Sequence, residues 1–253
     1  MLEFFRHEVY GNFYSWRGAA WLVAASLIFS LVAYLLMTDK ELSLLQQGEM
    51  IYILGEVIVA LGIVMSAASA SSTISGEMEA GTMESILLTP ITHRQIALQK
   101  LFSILSIWAI FYIISIPYLV VVSLGTNLTL AAVLYVGLFG TILVAAISSL
   151  SIAISAKLKS SKGSIMTALM IILILLAPTM FFSSLFRKTS FGIMLDQINP
   201  VSHAINSLDS VLVDNQQTLA EQFNHIWPVI IFLIICISLF MIYTKRLEVQ
   251  GTQ

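Results

Sequence analysis

Apolar residues in this chain are gathered into long, nearly unbroken runs instead of alternating with polar residues. Six runs contain the roughly 20 residues that a helix needs to cross the hydrocarbon core of a bilayer. They cover residues 19–37, 51–74, 96–124, 128–156, 165–186 and 226–243. Because unpaired backbone groups are too costly in lipid, each run predicts a transmembrane α-helix. The predicted fold class is therefore all-α: a polytopic membrane protein in which residues 1–253 form a single transmembrane domain with six transmembrane helices.

The composition supports the same class of protein. Of the 253 residues, 58% are hydrophobic and 10% are charged, whereas a soluble globular domain has about 25% charged residues. The low charged fraction and the apolar runs make the lipid bilayer the expected partner, and the small formal net charge of −2 implies no nucleic acid partner. The single cysteine, Cys236, lies inside an apolar run, where we expect it to pack and not to react.

Residues 1–18 form an amphipathic lead-in to the first run. Wound as a helix, they place apolar side chains on one face and mostly polar or aromatic side chains on the other. The apolar face comprises Leu2, Phe5, Val9, Phe13 and Trp16. This pattern predicts an interfacial helix in the headgroup plane. The alternative is an ordinary cytosolic lead-in to the first span.

The longest segment between runs, residues 187–225, contains a second amphipathic stretch. Pro200 suits the first turn of a helix. Apolar residues then follow at helical spacing, namely Val201, Ile205, Leu208 and Leu212. We expect a short helix that rests on the outer membrane surface or dips partly into it. The alternative is a buried lid over a pathway.

Lysine and arginine set the predicted orientation of the spans. With both termini in the cytoplasm, nine of the twelve Lys and Arg residues fall in cytoplasmic segments. The three outer ones are Lys40, Arg187 and Lys188. This bias follows the positive-inside rule. We therefore expect a multi-pass protein of the plasma or inner membrane, with both termini cytoplasmic and residues 187–225 as an extracytoplasmic loop.

The sequence lacks the residue patterns of an enzyme or of an ion-coupled carrier. It contains no G-x-x-x-x-G-K-[ST] phosphate loop and no nucleophile motif, and its four histidines show no metal-ligand spacing. Glu56, near the predicted outer end of the second run, is a candidate pathway or substrate contact; the alternative is local pairing at the interface. We predict no catalytic, cofactor-binding or metal-binding residues. The cytoplasmic segments are also too small to fold an ATPase domain.

One cytoplasmic segment, residues 76–91, interrupts the apolar pattern with acids, glycines and a proline. Its acids are Glu77, Glu79 and Glu84. Gly76 and Gly81 allow tight backbone turns, and Pro90 ends the segment. We predict a short, rigid helix across the inner membrane face. Such a helix would present its acids to the cytoplasm and pass an applied force to the spans on either side.

The start of the third span carries helix-capping signals. Thr92 followed by Gln95 predicts a capping box. Ile91 and Ile96 bracket it as a hydrophobic staple. The third span is therefore expected to begin immediately after the acidic segment.

The stretch ISGEMEAGTMESILLTPITHRQIALQKL, residues 74–101, resembles the signature of type-2 ABC transporter permeases. That signature has an acidic segment, Gly-Thr, a Leu-rich stretch, Thr-Pro or Ser-Pro, and a basic run into the third span. The matching residues are Glu77, Glu79, Gly81, Thr82, Leu87, Leu88, Thr89, Pro90 and Lys100. Met78 stands where the family commonly has a basic residue. Six spans, an amphipathic N-terminus and an outer loop with Asn199-Pro200 extend the resemblance to the whole chain.

The resemblance implies that the acidic segment is a coupling helix that docks into a groove of a separate ATP-binding subunit. The docking residues that it implies are Glu77, Glu79, Gly81, Thr82, Met83 and Glu84. It also implies that two permease copies, identical or homologous, pair with two ATP-binding subunits. ATP and Mg would be bound by those subunits and no cofactor by this chain.

The predicted function is the permease subunit of an ATP-driven ABC exporter, without catalytic residues of its own. The apolar spans favour an amphipathic or hydrophobic substrate such as a peptide, a drug or a lipid. One alternative is a self-sufficient channel or secondary carrier, which the scarcity of charge within the spans disfavours. Another is a non-transporting membrane anchor or sensor.

Overall fold

The computed structural model describes residues 16–38, 46–83, 92–181, 189–214, 218 and 220–245. Most of the chain within these ranges is helical and none of it forms a strand, which confirms the all-α class. The helices are α1 (Trp16–Thr38), α2 (Gln47–Ala70), α3 (Ser75–Glu79), α4 (His93–Val122), α5 (Thr129–Leu158), α6 (Ser161–Leu176), α7 (Ser190–Ile198), α8 (Pro200–Leu212) and α9 (Phe223–Thr244). Residues 1–15 lie outside the described ranges, so the interfacial helix stays a prediction.

The six predicted spans are confirmed. Within the described residues, six helices are long and apolar enough to cross a membrane: α1, α2, α4, α5, α6 and α9. The fifth span differs from its prediction, because α6 ends at Leu176 and continues as a π-helical turn, Ala177–Phe181. Pro178 lies in this turn. Proline has no N–H to donate to the preceding turn, so regular α-helical bonding cannot continue through it.

The predicted capping box at the third span is confirmed. The Thr92 hydroxyl accepts a hydrogen bond from the Gln95 N–H at 3.4 Å, and the Gln95 side chain accepts one from the Thr92 N–H at 3.0 Å. These bonds satisfy two amide groups that have no partner within the helix. Ile91, one half of the predicted staple, lies outside the described residues.

Helices α2 and α5 form the middle of the bundle. Their most apolar windows are 61% and 56% buried inside the protein, against 22% for α1 and 17% for α9. α2 contacts α4, α5 and α6, and α5 contacts α9 along an extensive interface. The exposed apolar sides of α1 and α9 therefore lie at the periphery, where a bilayer would solvate them.

Trp108 of α4 is wedged between glycines on the two central helices. A Cβ atom on Gly62 of α2 would lie 2.2 Å from the Trp108 ring, and one on Gly140 of α5 would lie 2.5 Å from it. The indole N–H donates to the hydroxyl of Thr141 at 3.0 Å. Only glycine leaves room for the ring at both positions, so this close packing fixes the spacing of three spans.

The apolar face of helix α8 is covered by protein, which the expected helix on the outer membrane surface did not include. Its apolar residues Val201, Ile205, Leu208 and Leu212 are at most 1% exposed. They face the protein, because α8 packs against α2, α5, α6 and α9. The predicted Pro200 start is confirmed, with Asn199 as the N-cap.

Asn199 also joins α8 to the end of the fifth span. Its side-chain oxygen accepts the Val201 N–H at 3.0 Å, and its side-chain nitrogen donates to the Leu175 carbonyl at 2.6 Å. Leu175 lies just before the π-helical turn. One amide side chain therefore caps α8 and holds it against α6.

We expect Gly62→Ala to destabilise the protein by about 1–3 kcal/mol, because the added methyl group overlaps the Trp108 ring. The measurement is the free energy of unfolding in detergent. Gly163→Ala is the matched control, since its Cβ would meet nothing closer than 3.7 Å. Equal stability of the two variants would contradict the close packing of Trp108 against Gly62.

Candidate docking site at the ends of α2 and α4

The acidic segment begins as a near-continuation of α2. A turn over residues 71–74 leads directly into α3, Ser75–Glu79. Gly81 follows with φ +70°, in the left-handed region that favours glycine. Gly76 makes no turn, contrary to expectation. Its N–H donates to the Ser72 carbonyl at 2.9 Å and its carbonyl accepts the Ala80 N–H at 3.0 Å, so it belongs to the helical ladder.

Glu77 forms an ion pair with Lys100 of α4. The Nζ and Oε1 atoms are 2.5 Å apart, and the two side chains are 1% (Lys100) and 23% (Glu77) exposed. A buried ammonium group requires an anion and hydrogen bonds to offset its lost hydration. Glu77 is therefore a structural partner of the third span. The sequence analysis places Glu77 among the docking residues, whereas in the structure one of its carboxylate oxygens is engaged by Lys100 and its side chain is 23% exposed.

Ser155 of α5 forms hydrogen bonds with the start of α3. Its hydroxyl oxygen accepts the backbone N–H groups of Ile74 at 3.3 Å and Ser75 at 2.9 Å. It donates to the Ser75 hydroxyl at 3.0 Å. All three residues are fully buried, so these bonds satisfy polar groups that water cannot reach.

Glu79 connects α3 to the beginning of α6. Its Oε1 atom accepts the backbone N–H of Ser161, the first residue of α6, at 2.9 Å. A carboxylate at this position is favoured because the first N–H groups of a helix are unpaired and carry partial positive charge. Glu79 itself is exposed to solvent. One short helix is thus bonded to α4, α5 and α6.

The remaining predicted docking residues divide between the surface and the interior. Gly81 and Thr82 are exposed, and the Thr82 hydroxyl donates to the Glu77 carbonyl at 3.3 Å. Met83 is 3% exposed and packs in an apolar cluster with Met78. Glu84 lies outside the described residues, so its role stays a prediction. The exposed members of the predicted docking set are therefore Glu79, Gly81 and Thr82.

Glu56, the candidate pathway residue, does not belong to this site. It is half-buried in the part of α2 that is remote from α3.

The roles of Ser155 and Ser161 could not be predicted from the sequence, because serines near helix ends are common and their neighbours along the chain do not indicate their hydrogen-bond partners. The ion pair of Lys100 could have been anticipated from the sequence, because a lysine followed directly by an apolar run needs an acid nearby.

The family model described as "ABC-2 family transporter protein" matches residues 6–246. The chain belongs to the ABC-2 transporter family. No curated protein matches it. Its six membrane-spanning helices are those of an ABC-2 permease. Permeases of this family are generally non-catalytic and associate with an ATP-binding subunit.

In this ABC-2 permease we expect Glu77→Gln to lower the free energy of unfolding by about 3 kcal/mol, because it leaves a buried ammonium without its counter-charge. The matched control is Glu79→Gln, an exposed acid of the same helix, which should lower the stability much less. Adding Lys100→Met to Glu77→Gln removes the buried charge and should recover much of the stability. Equal losses in the two single variants would show that the ion pair has no special role.

Proposed function

We propose that this chain is the membrane-spanning subunit of an ATP-driven exporter and that its ATP-binding subunit docks beside α3. The docking surface comprises the exposed residues Glu79, Gly81 and Thr82, and Glu84 remains a predicted member of it. The observation that carries the proposal is the attachment of α3 to α4, α5 and α6 by Lys100, Ser155 and Ser161. A surface bonded to three spans transmits displacement to all three.

The mechanism follows from the stiffness of this junction. Closure of the ATP-binding subunits on ATP moves the docking surface, and α3 moves with it. The ion pair draws the beginning of α4 along, while Ser155 and Ser161 couple the motion to the ends of α5 and α6. Packed helices shift as rigid bodies, so a small displacement at one end changes the access between the spans.

Within the predicted docking set, the residues have two different roles. Glu79 and Thr82 offer polar groups to the partner from the surface, and Gly81 supplies the left-handed turn between α3 and the following segment. Glu77 and Met83 act from inside, through the ion pair and the apolar cluster. These inner residues position the surface and do not touch the ATP-binding subunit.

The assembly comprises two permease copies, identical or homologous, and two ATP-binding subunits that hold ATP and Mg²⁺. The chain lies in the plasma or inner membrane with both termini in the cytoplasm. The substrate is amphipathic or hydrophobic, of the peptide, drug or lipid class, because the spans offer few charged groups to a hydrophilic ion. Glu56 is the acid that such a substrate would meet within α2.

We expect the double variant Glu79→Lys, Thr82→Lys to weaken binding of the ATP-binding subunit encoded beside this gene by about tenfold or more, because it reverses the charge of the docking surface. The measurement is the dissociation constant of the two purified subunits, together with the ATP hydrolysis rate of the complex. Unchanged binding and unchanged hydrolysis would remove the docking claim.

Glu221→Lys is the matched control, because Glu221 is exposed and lies at the opposite end of the molecule, before α9. The Thr218 hydroxyl and N–H donate to its carboxylate and hold the pKa of Glu221 below its usual value. It is therefore ionised at neutral pH, and its replacement by lysine changes the charge by +2, against +3 for the double variant. We expect this variant to bind like the wild type.

The proposed orientation predicts opposite labelling of two introduced cysteines. Thr82→Cys should react with a membrane-impermeant maleimide only in inside-out vesicles, and Thr218→Cys only in intact cells. Both positions are exposed, whereas the native Cys236 is 1% exposed and gives little background. Labelling of both positions from the same side would overturn the proposed topology.

A further inference from the structure

Two histidines meet where α8 packs against the last span. His203 lies in the first turn of α8 and His225 in the first turn of α9. Their ring centroids are 5.7 Å apart, with an angle of 55° between the ring planes. Both rings are half-buried. The pair is distant in sequence from the docking site and plays no part in the proposed coupling.

The hydrogen bonding of His203 fixes which of its nitrogens carries a lone pair. Its Nε2 atom lies 2.9 Å from the Gln197 backbone carbonyl. A carbonyl oxygen only accepts, so Nε2 donates its proton and the Nδ1 atom of the neutral ring is unprotonated. Histidines that bind metal ions are commonly held in this way, with the other ring N–H on a backbone carbonyl.

The Nδ1 atoms of both histidines are buried, and neither has a hydrogen-bond partner among the described residues. Buried polar atoms are nearly always paired, and an exception indicates an ordered water molecule or an ion. Two such atoms lie on adjacent rings, one ring on each helix.

The spacing of the rings fits a metal ion between them. Two imidazoles bound to one tetrahedral ion at about 2.0–2.1 Å have ring centroids about 5 to 5.5 Å apart. The observed 5.7 Å needs only a small side-chain rotation to reach this value.

The charge around the pair also suits a cation. The Asp196 carboxylate interacts electrostatically with His225 and accepts a hydrogen bond from the Asn206 side chain at 2.8 Å. The described residues contain no group of three potential metal ligands, so water would complete the coordination. Two imidazole donors select Cu²⁺, Ni²⁺ or Zn²⁺ over Mg²⁺ and Ca²⁺.

We propose that His203 and His225 bind one divalent transition-metal ion and that this ion links α8 to α9. The proposal goes beyond the proposed transport function and does not rest on it. The ion would join the first turn of the outer helix to the first turn of the last span. It would thereby hold in place an interface that otherwise leaves two imidazole nitrogens unsatisfied.

The test uses the purified full-length chain in detergent, titrated with Cu²⁺ and with Zn²⁺. We expect about one ion per chain, and a Cu²⁺ electron paramagnetic resonance spectrum with hyperfine coupling to two imidazole nitrogens. His203→Gln and His225→Gln should each lower the affinity by more than the roughly 10- to 100-fold that loss of an outer-shell partner costs.

His93→Gln is the matched control, because His93 is exposed at the beginning of α4 and should bind metal no differently when it is replaced. The proposal is overturned if the wild-type spectrum shows no imidazole nitrogen, or if the His203→Gln, His225→Gln double variant binds as tightly as the wild type. The spectrum of the wild type decides the question even if a variant fails to fold.

Discussion

The ammonium group of Lys100 is almost completely removed from water, and this constraint organises the end of the bundle at which it lies. An isolated buried charge is too costly to persist, so the chain must bring an acid to it. Glu77 meets that need only if α3 folds back against α4. The ion pair thereby fixes α3 relative to the beginning of α4. The position of α3 is therefore set before any partner binds.

A buried ion pair is weak evidence for added stability, because desolvation of both charges opposes their attraction. The better-supported effect of such a pair is on conformational specificity, because alternative packings of the helices leave the charges unpaired. The hydrogen bonds around this ion pair also favour one packing of the helices over others. Ser155 satisfies two amides of the turn before α3, and Glu79 satisfies one at the start of α6. Each bond is directional, so the short helix has one permitted position relative to three spans.

The number and approximate position of the spans could be predicted from the sequence, because hydropathy alone determines which segments enter lipid. Their partners could not, because helices that are apolar on every side show no face that marks the interior. The place of Trp108 between Gly62 and Gly140 depends on contacts among three helices. The protein neighbours of α8 could not be predicted for a related reason. Its amphipathic pattern shows that one face is apolar but does not distinguish lipid from protein as the neighbour. Glu77 was expected at the surface, because a sequence shows where a charged residue is but not which opposite charge it pairs with. The turn at Gly81 could be predicted, because a left-handed backbone conformation depends on the local sequence.

Helix α5 is the element through which the two ends of the protein are joined. At one end Ser155 holds the start of α3, and at the other α5 packs against α8. Between them it contacts α2, α4 and α9, and Gly140 receives the Trp108 ring. An α-helix packed on several sides resists bending, because its backbone hydrogen bonds and its interdigitated side chains must both be disturbed. Under the proposed function, a displacement of α3 would be carried along α5 toward α8. At that end the contacts combine an apolar face with hydrogen bonds, since Asn199 bonds Leu175 and Gln222 bonds Ser207 and Ser210. Both ends of α5 therefore meet elements that are held by directional bonds as well as by apolar packing, which suits α5 to move as one body.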